Sequence, residues 1–272
     1  MDLKSYLSQR QAIINKALKQ TLPAARSAPG PIHQAMRYSV LGDGKRIRPI
    51  LVLAGCEAVG GKLSLALPSA CAVELIHAYS LVHDDLPAMD DDDFRRGRPS
   101  THKRFGEAIG VLTGDALLTY SFELLSGGNH DPSMRLKVIR QVAQAVGTQG
   151  MIGGQVADIK QGQRLNSREI EYINTRKTGA LIAACVRVGA LLGEASPDQY
   201  RALSFYGDRV GLVFQLVDDL LDKDGAVKIF GAQPVRQRAQ RLTRSAQAAL
   251  EPLGTRADPL KSLAEFILTR GS

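Results

Sequence analysis

Apolar residues recur every three or four positions along most of the chain. Leu3, Leu7, Ile14 and Leu18 follow this spacing near its start, which predicts an amphipathic helix with one buried face. Denser apolar runs predict long buried helices over residues 65–83, 167–192 and 196–222. The same periodicity predicts further helices over residues 32–41, after Pro49, over 106–125, from Pro132 onwards, over 233–250 and over 258–269.

Capping residues mark the starts of two of these helices. Ser196 precedes Pro197, and Gln199 follows the serine by three residues, which is the arrangement of a capping box. Asp131 before Pro132 is a similar start. No stretch alternates between apolar and polar residues over the length of a strand. The pattern therefore predicts an all-α protein, a single domain over residues 1–272 built as a bundle of about ten helices.

The composition agrees with a folded helical protein. Hydrophobic residues make up 44% of the 272 residues and charged residues 23%, which excludes a disordered chain. Aromatic residues are only 5%, with no Trp, and this disfavours an all-β fold. Cys56, Cys71 and Cys185 lack metal-ligand spacing, so we expect reduced thiols and a cytoplasmic location. The most apolar stretch, 181–192, is interrupted by Arg187 and is too short to span a membrane.

The distribution of charge along the chain limits the classes of molecule that the protein is expected to bind. The formal net charge of +8 favours an anionic partner. Residues 84–93 nevertheless contain six aspartates, and basic residues follow at once over 94–104. A nucleic-acid-binding surface is not expected here, because carboxylates repel phosphate and no aromatic residues are interleaved with the basic ones. Carboxylates next to cations suit a phosphate group that is bound through metal ions.

The first aspartate cluster, residues 84–93, terminates the apolar helix predicted over 65–83. Several carboxylates at the C-terminal end of a helix repel one another and oppose its dipole. Divalent cations would relieve this repulsion, and Mg²⁺ prefers one or two carboxylates together with phosphate oxygens. A solvated acidic loop is the alternative. An EF-hand is disfavoured, because the spacing lacks the glycine and the closing glutamate of a calcium loop.

A second aspartate cluster, residues 218–222, ends another long apolar helix. Asp218 and Asp222 are four residues apart and share a helix face, with Asp219 beside them. Two helices that each end in carboxylates can face one another across a cavity and share metal ions. The pair of clusters, the first of which continues into Arg95-Arg96-Gly97, is a much more specific signal than either cluster alone.

Several short motifs, in this order, resemble those of the bacterial short-chain trans-isoprenyl diphosphate synthases, most closely the farnesyl diphosphate synthases. The matching segments are 44–49, 77–85 continuing through 97, 114–115, 153–155 with Asp158, 177–180 and 214–222. The resemblance implies the isoprenoid synthase fold, in which about ten helices surround a deep central cavity, usually in a homodimer. It also implies head-to-tail (1'-4) condensation of isopentenyl diphosphate with dimethylallyl or geranyl diphosphate, which yields farnesyl diphosphate.

The resemblance implies a role for each matching residue. A cluster of Mg²⁺ ions shared by the two aspartate motifs would bind Asp84, Asp85, Asp90, Asp218, Asp219 and Asp222. The allylic diphosphate would contact Arg95 and Lys177, and its reacting carbons would lie beside Thr178 and Gln215. Isopentenyl diphosphate would bind Lys45, Arg48, His77 and Arg96. Ionisation of the allylic substrate needs these residue types, because metal ions and cations stabilise the leaving diphosphate while oxygen dipoles stabilise the carbocation.

The length of the product is predicted from the helix before the first aspartate cluster. Tyr79 and Ser80 lie five and four residues before Asp84, about 6–7.5 Å along a helix. An aromatic side chain at Tyr79 could close the cavity behind a fifteen-carbon product, which favours farnesyl diphosphate. Geranylgeranyl diphosphate is the alternative product.

One departure from the family pattern follows the second aspartate cluster. The family carries a lysine-bearing loop and a Thr-Tyr-Pro segment there, whereas Asp222 is followed by Lys223-Asp224-Gly225 and then by Ala226. The family pattern predicts a natural polypeptide longer by roughly two dozen residues at this junction, or low activity if the junction is native.

Two competing functions remain. A terpene cyclase is disfavoured, because its second metal motif differs and it needs no counterpart of residues 44–49. A non-catalytic subunit of a heteromeric synthase would be expected to lose aspartates, and both clusters are intact here.

Overall fold

The structure, a computed structural model, describes residues 2–159 and 167–270 of the chain. These residues form fourteen α-helices, one π-helical turn, one 3-10 helix and a two-stranded antiparallel hairpin. The bounds are α1 (Leu3–Thr21), α2 (Gly30–Val40), α3 (Ile47–Ala58), α4 (Leu63–Asp84), β1 (Phe94–Arg95), β2 (Arg98–Pro99), α5 (Thr101–Phe105), α6 (Glu107–Ser126), α7 (Pro132–Val146), α8 (Met151–Ile159), α9 (Ser167–Ile173), the π-helical turn (Asn174–Gly179), α10 (Ala180–Leu192), α11 (Pro197–Asp222), α12 (Ala226–Phe230), α13 (Ala232–Ala249), the 3-10 helix (Glu251–Ala257) and α14 (Asp258–Thr269).

The all-α prediction is confirmed, and the long helices begin and end within a few residues of their predicted bounds. The capping box at Ser196 is present, with both reciprocal hydrogen bonds to Gln199. The structure also contains a short hairpin that the pattern did not predict, in which β1 and β2 pair through Phe94 with Pro99 and Arg95 with Arg98. Strands of two residues are too short for an alternating pattern to reveal them.

By internal contacts the chain divides into two compact units, each formed from separate stretches of sequence. The first unit contains residues 7–50 and 67–129, and the second unit contains residues 1–6, 51–66 and 130–272. The single domain over residues 1–272 therefore stays a prediction.

In the first unit, α2 packs against α5 and α6. Leu75 and Ile76 of α4 are fully buried, as is Leu117 of α6. A side chain at residue 114 would place its Cβ 2.0 Å from Nε2 of His83, so the glycine there permits the close approach of α6 to the end of α4.

In the second unit, α11 packs against α10, α13 and α14. Tyr206 of α11 is fully buried, and its hydroxyl donates a hydrogen bond to the Leu260 carbonyl at 2.6 Å. A Cβ at Gly211 would lie 2.8 Å from the carbonyl oxygen of Gly179, so α11 comes very near to the start of α10. These contacts fix the helix that carries the second aspartate cluster.

Two helices, α4 and α6, are long and apolar enough to cross a membrane by length and composition alone. The apolar window of α4 is 67% buried within the protein and that of α6 is 33% buried. Core helices of globular proteins meet the same criterion, so this finding does not contradict the prediction that the chain has no membrane span.

Candidate active site

The first aspartate cluster forms a turn at the end of α4 in the first unit. The backbone amide of Asp90 donates to the Asp84 carbonyl at 2.9 Å, which brings these two residues to the same end of the helix. Asp84 is half-buried and Asp90 is exposed, whereas Asp85 is only 2% exposed. Asp84 and Asp90 therefore lie where a ligand from solution can reach them, and Asp85 does not.

Arg95 binds Asp85 directly. Its Nε donates to Asp85 Oδ1 at 2.8 Å, its Nη2 contacts the same oxygen, and Nη2 also donates to Asp92 Oδ2 at 2.9 Å. Burial raises the pKa of Asp85, and the adjacent guanidinium acts in the opposite direction. Arg95 is thus oriented by two carboxylates of the cluster before any ligand binds.

The β1–β2 hairpin determines the positions of the two arginines. Arg96 and Gly97 both have positive φ, at 53° and 72°, as a two-residue hairpin turn requires. Arg95 precedes this turn on β1, and Arg96 within it donates to the Asp43 carbonyl at 2.6 Å. The Arg95-Arg96-Gly97 segment therefore forms the end of β1 and the hairpin turn in addition to supplying positive charge.

His77 and Arg48 lie next to each other, as two residues predicted to bind the same substrate should. Arg48 Nη1 is 3.3 Å from His77 Nε2. The pKa of His77 is well below its usual range, because of burial first and then of Arg48, Arg96, Arg46 and Arg95. His77 is therefore neutral at physiological pH and can accept a hydrogen bond from Arg48.

A cation-rich cavity of the first unit lies beside His77. Its lining includes His77, Arg95, Arg96 and Arg98, with Asp43 and Asp85 among its acidic groups. The structure thus brings three of the predicted diphosphate-binding residues to one cavity. Lys45 and Arg48 are not part of this lining, and Lys45 is exposed.

The loop at the entry to α3 is held by Arg46, which was not among the predicted site residues. Arg46 and Glu74 are 5% and 4% exposed, and Arg46 Nη1 is 2.7 Å from Glu74 Oε1. Arg46 Nη2 also donates to the carbonyls of Val40 and Gly42, at 2.9 and 2.7 Å. This buried ion pair fixes the loop that carries Lys45.

Tyr79 and Ser80 lie about one turn before the aspartates, as predicted. Tyr79 is 5% exposed, its ring stands edge-on to His83 with centroids 5.8 Å apart, and its buried hydroxyl has no hydrogen-bond partner among the described residues. Ser80 Oγ donates to the His77 carbonyl at 3.0 Å. The Tyr79 side chain is therefore held by packing rather than by its hydroxyl.

The second aspartate cluster, in the second unit, contains three carboxylates in three different environments. Asp219 is 5% exposed and accepts hydrogen bonds from Gln215 Nε2 at 3.0 Å, Asn174 Nδ2 at 3.0 Å and the Ala226 amide at 2.9 Å. Asp222 is exposed. Asp218 is half-buried and binds Arg270, whose Nη2 lies 2.6 Å from Asp218 Oδ1.

The junction after Asp222 forms a defined turn around Asp219. Lys223 has a left-handed conformation with φ 54°, and Asp224 donates its amide to the Asp219 carbonyl at 3.1 Å. Gly225 has φ 53°, and a Cβ there would lie 2.7 Å from the Asp219 carboxylate. In this chain Asp219 is therefore the carboxylate that closes the short connection to α12.

Lys177 and Thr178 lie in the π-helical turn, where the sequence predicted one uninterrupted helix over 167–192. Lys177 Nζ is 2.5 Å from Asp158 Oδ2 on α8, and a Cβ at Gly154 would lie 2.2 Å from the Lys177 amide. Short π-helical turns inside helices occur frequently at functional sites, and periodicity over a long window does not reveal one extra residue in a turn.

The residues present suit Mg²⁺ as a ligand bound together with a diphosphate. Across the described ranges no three Asp, Glu, His or Cys side chains converge into a ready-made metal site. Mg²⁺ does not require such a cage, because it is usually held by one or two carboxylates with water and phosphate oxygens. Asp84 with Asp90, and Asp218 with Asp222, supply hard oxygen donors of this kind near the surface.

Two further residues of the site were not predicted to have a role in it. Arg270 is 52 residues from Asp218 in sequence, and no motif contains it. Gln155 belongs to the family-like segment 153–155, but no role was predicted for it. Both of its amide atoms are buried without a hydrogen-bond partner among the described residues, which makes Gln155 a candidate for binding a ligand.

Comparison with known proteins supports the sequence motifs. The "Polyprenyl synthetase" family model matches residues 30–234. The chain is 43% identical to a heterodimeric geranylgeranyl pyrophosphate synthase large subunit 1 of Arabidopsis thaliana, with 99% of this chain and 80% of that protein covered. It is also 43% identical to the farnesyl diphosphate synthase of Geobacillus stearothermophilus, with 85% and 79% covered.

A solved structure supports the fold. An apo FPP/GFPP synthase from Zymomonas mobilis is similar with a TM-score of 0.93 and 38% identity, and the match covers 98% of this chain and 99% of that one. The isoprenoid synthase fold predicted from the sequence is thereby confirmed. The alignment to the Arabidopsis protein spans 299 positions, 27 more than the 272 residues here, so that relative has residues without a counterpart in this chain.

Proposed function

Because the chain belongs to the polyprenyl synthetase family, as a short-chain synthase of the farnesyl and geranylgeranyl diphosphate type, we propose that its product is farnesyl diphosphate. The reaction is head-to-tail condensation of isopentenyl diphosphate with dimethylallyl and then geranyl diphosphate. The observation that carries this proposal is Tyr79, a buried aromatic ring about one turn before the Asp84 carboxylate.

The residues of the first unit have the chemistry that two diphosphates need. Asp84 and Asp90 of the first unit would hold Mg²⁺, and in the second unit Asp218 and Asp222 offer oxygen donors of the same kind. A bound ion would neutralise an allylic diphosphate and make it a better leaving group. Arg95 is already oriented at the cavity by Asp85 and Asp92, so it can donate to a diphosphate oxygen without being reorganised.

The residues of the second unit suit the carbocation. Gln215 Nε2 donates to Asp219, which orients the amide and leaves its oxygen for a positively charged allylic carbon. Lys177 is paired with Asp158, so diphosphate binding requires it to exchange or share this carboxylate. We assign Thr178 to the reacting carbons of the allylic substrate because it directly follows Lys177 in the π-helical turn.

The test of the function is direct. The purified protein is incubated with isopentenyl diphosphate, Mg²⁺ and dimethylallyl, geranyl or farnesyl diphosphate in turn, and the length of the product is measured. The proposal expects fifteen-carbon product from the first two allylic substrates and little turnover of the third. Chelation of Mg²⁺ should abolish product formation in every case.

A geranylgeranyl diphosphate synthase is the second candidate. It is favoured by the names of several relatives, among them the geranylgeranyl pyrophosphate synthase of Capsicum annuum at 41% identity. The same incubation distinguishes the candidates, because this enzyme would elongate farnesyl diphosphate to twenty carbons. A non-catalytic subunit would form no product from any of the three.

Replacing Tyr79 with alanine should shift the product from fifteen carbons to twenty or more. The substitution removes a ring buried at about one turn from Asp84, and the growing chain can then extend along α4. Product length is measured by chromatography against prenyl alcohol standards. Tyr79→Phe is the control and should keep the fifteen-carbon product, because the lost hydroxyl has no hydrogen-bond partner in the described structure. An unchanged product from Tyr79→Ala would assign the length limit to another residue.

Replacing Arg48 with alanine should raise KM for isopentenyl diphosphate by about 10–150-fold, since a hydrogen bond to a charged group contributes roughly 1.5–3 kcal/mol. The neutral His77 would lose its guanidinium partner in the same variant. Lys45→Ala should also raise KM for isopentenyl diphosphate. The control Arg187→Ala breaks an ion pair with the half-exposed Asp208, and it should leave KM for isopentenyl diphosphate and KM for the allylic diphosphate unchanged. Equal losses for isopentenyl and allylic substrates would contradict the assignment.

The proposal also includes a homodimer in the cytoplasm. Val111 and Leu112 on α6 are 43% and 53% exposed, an apolar surface of the kind that subunit contacts bury. Cys56, Cys71 and Cys185 are buried thiols that form no disulfide, the state expected in a reducing compartment.

A further inference from the structure

Arg270 is held in place in the second unit by contacts to α11. Its guanidinium lies over the Phe214 ring, 3.6 Å from the centroid. Its Nη2 donates to the Phe214 carbonyl at 2.6 Å and to Asp218 Oδ1 at 2.6 Å. The side chain is only 14% exposed. A stacked, hydrogen-bonded arginine of this kind has a defined orientation rather than that of a mobile surface cation.

The three carboxylates of the second aspartate cluster differ in what they can still bind. Asp219 is buried and already accepts three hydrogen bonds. Asp222 is exposed, and no contact of the described structure orients it. Asp218 alone is both oriented and reachable: its side chain is 34% exposed and Arg270 binds one of its two oxygens.

A carboxylate can accept from a guanidinium on one oxygen and bind a cation through the other. Because Phe214 anchors the guanidinium from two sides, Arg270 can stay in place while a ligand binds Asp218. Without it, the repulsion from Asp219 and Asp222 would be unopposed and the Asp218 side chain would be free to change rotamer. In metal sites generally, groups that hydrogen-bond to a metal ligand orient it, and their loss weakens metal binding or activity about 10–100-fold.

We propose that Arg270 is a positioning residue for Asp218: it holds Oδ1 and thereby presents the second oxygen to a Mg²⁺–diphosphate. This inference rests on the proposed function, because it assumes that the second aspartate cluster binds such a complex. It adds a residue from outside the aspartate motifs to the set that the reaction needs.

The test measures binding of inorganic diphosphate in saturating Mg²⁺ by isothermal titration calorimetry. Arg270→Leu should weaken this binding about 10–100-fold. Arg270→Lys should bind with intermediate affinity, because lysine keeps the charge over Phe214 but loses the planar fork. Arg187→Leu is the matched control: it removes another arginine of the second unit that is ion-paired with an aspartate, Asp208, and should bind as the parent protein does.

Steady-state kinetics supply a second measurement. Arg270→Leu should raise KM for the allylic diphosphate and the Mg²⁺ concentration at half-maximal rate, and should leave KM for isopentenyl diphosphate unchanged. Thermal unfolding of each variant without Mg²⁺ identifies any loss of stability. If Arg270→Leu proves unfolded, the affinity of Arg270→Lys for Mg²⁺–diphosphate is the test. Weaker binding than the parent supports the inference, and equal binding contradicts it.

The outcomes separate the inference from the proposed function. If the parent protein itself fails to bind Mg²⁺–diphosphate, the proposed function is wrong. If the parent binds and folded Arg270→Leu binds equally well, Arg270 does not position Asp218. Tighter binding by Arg270→Leu would mean that Arg270 competes with the metal for Asp218, which also overturns the inference.

Discussion

Replacing Asp84 with alanine should lower kcat by roughly a thousandfold, the upper end of what the loss of one preorganised electrostatic contact costs. Asp84 ends α4 and shares that end with Asp90, whose amide binds the Asp84 carbonyl. Without this carboxylate, the Mg²⁺ that the cluster would hold has fewer protein ligands at the leaving diphosphate. Asp218→Ala should have a similar effect. Both are measured as kcat with saturating substrates and Mg²⁺.

A neighbouring aspartate is the matched control for this loss. Asp93 belongs to the same acidic run but is exposed and pairs with Lys103 at 2.8 Å. Asp93→Ala should keep kcat within a fewfold of the parent, because an exposed ion pair contributes little. Asp84→Ala should fold normally, since it removes one of several like charges at a helix end. Near-normal turnover of Asp84→Ala would show that the first aspartate cluster is not the metal site.

Replacing Glu74 with alanine should lower the free energy of unfolding by about 3–5 kcal/mol. Arg46 is 5% exposed, and Glu74 is the carboxylate that neutralises it. The substitution would leave a guanidinium buried without its counter-charge and would create a cavity beside it. The loop at Gly42 is bound to the same guanidinium. Denaturant unfolding followed by circular dichroism measures the change in the free energy of unfolding.

A surface pair supplies the comparison for Glu74. Asp208 pairs with Arg187 at 2.7 Å, but its side chain is 48% exposed, so Asp208→Ala should cost only about 0–1 kcal/mol. The double variant Arg46→Met with Glu74→Leu should recover most of the stability, because it removes both buried charges. If Glu74→Ala cost no more than Asp208→Ala, the ion pair would not be the element that stabilises the loop.

The helices were predictable because their apolar faces are long. The pattern predicted helix α14 with its observed bounds, and Ser196 and Gln199 located the start of α11. Short elements were not predicted: α5 and α12 have five residues each, fewer than two helical turns. The π-helical turn was not predicted either, because one extra residue in a turn hardly changes the apolar periodicity of a long helix.

The site likewise contains residues that could be predicted from the sequence and residues that could not. Carboxylates at helix ends are visible in sequence, so Asp84 and Asp218 could be identified from their motifs. Sequence does not show which charge is buried or what faces it. Arg46 with Glu74 and Arg270 with Asp218 join residues 28 and 52 positions apart, and only the packing of helices brings them together.

The turn after the second aspartate cluster has a consequence for how this sequence can change. Gly225 has a positive φ of 53°, and any side chain there would meet the Asp219 carboxylate at 2.7 Å. The amide of Ala226 depends on the same carboxylate for its hydrogen bond. A smaller or displaced side chain at residue 219 would remove this contact but not the strain of the positive φ, so a substitution at residue 225 should cost less together with such a change than alone. The two positions should show epistasis, and mutational tolerance measured at either one alone will underestimate what the pair permits.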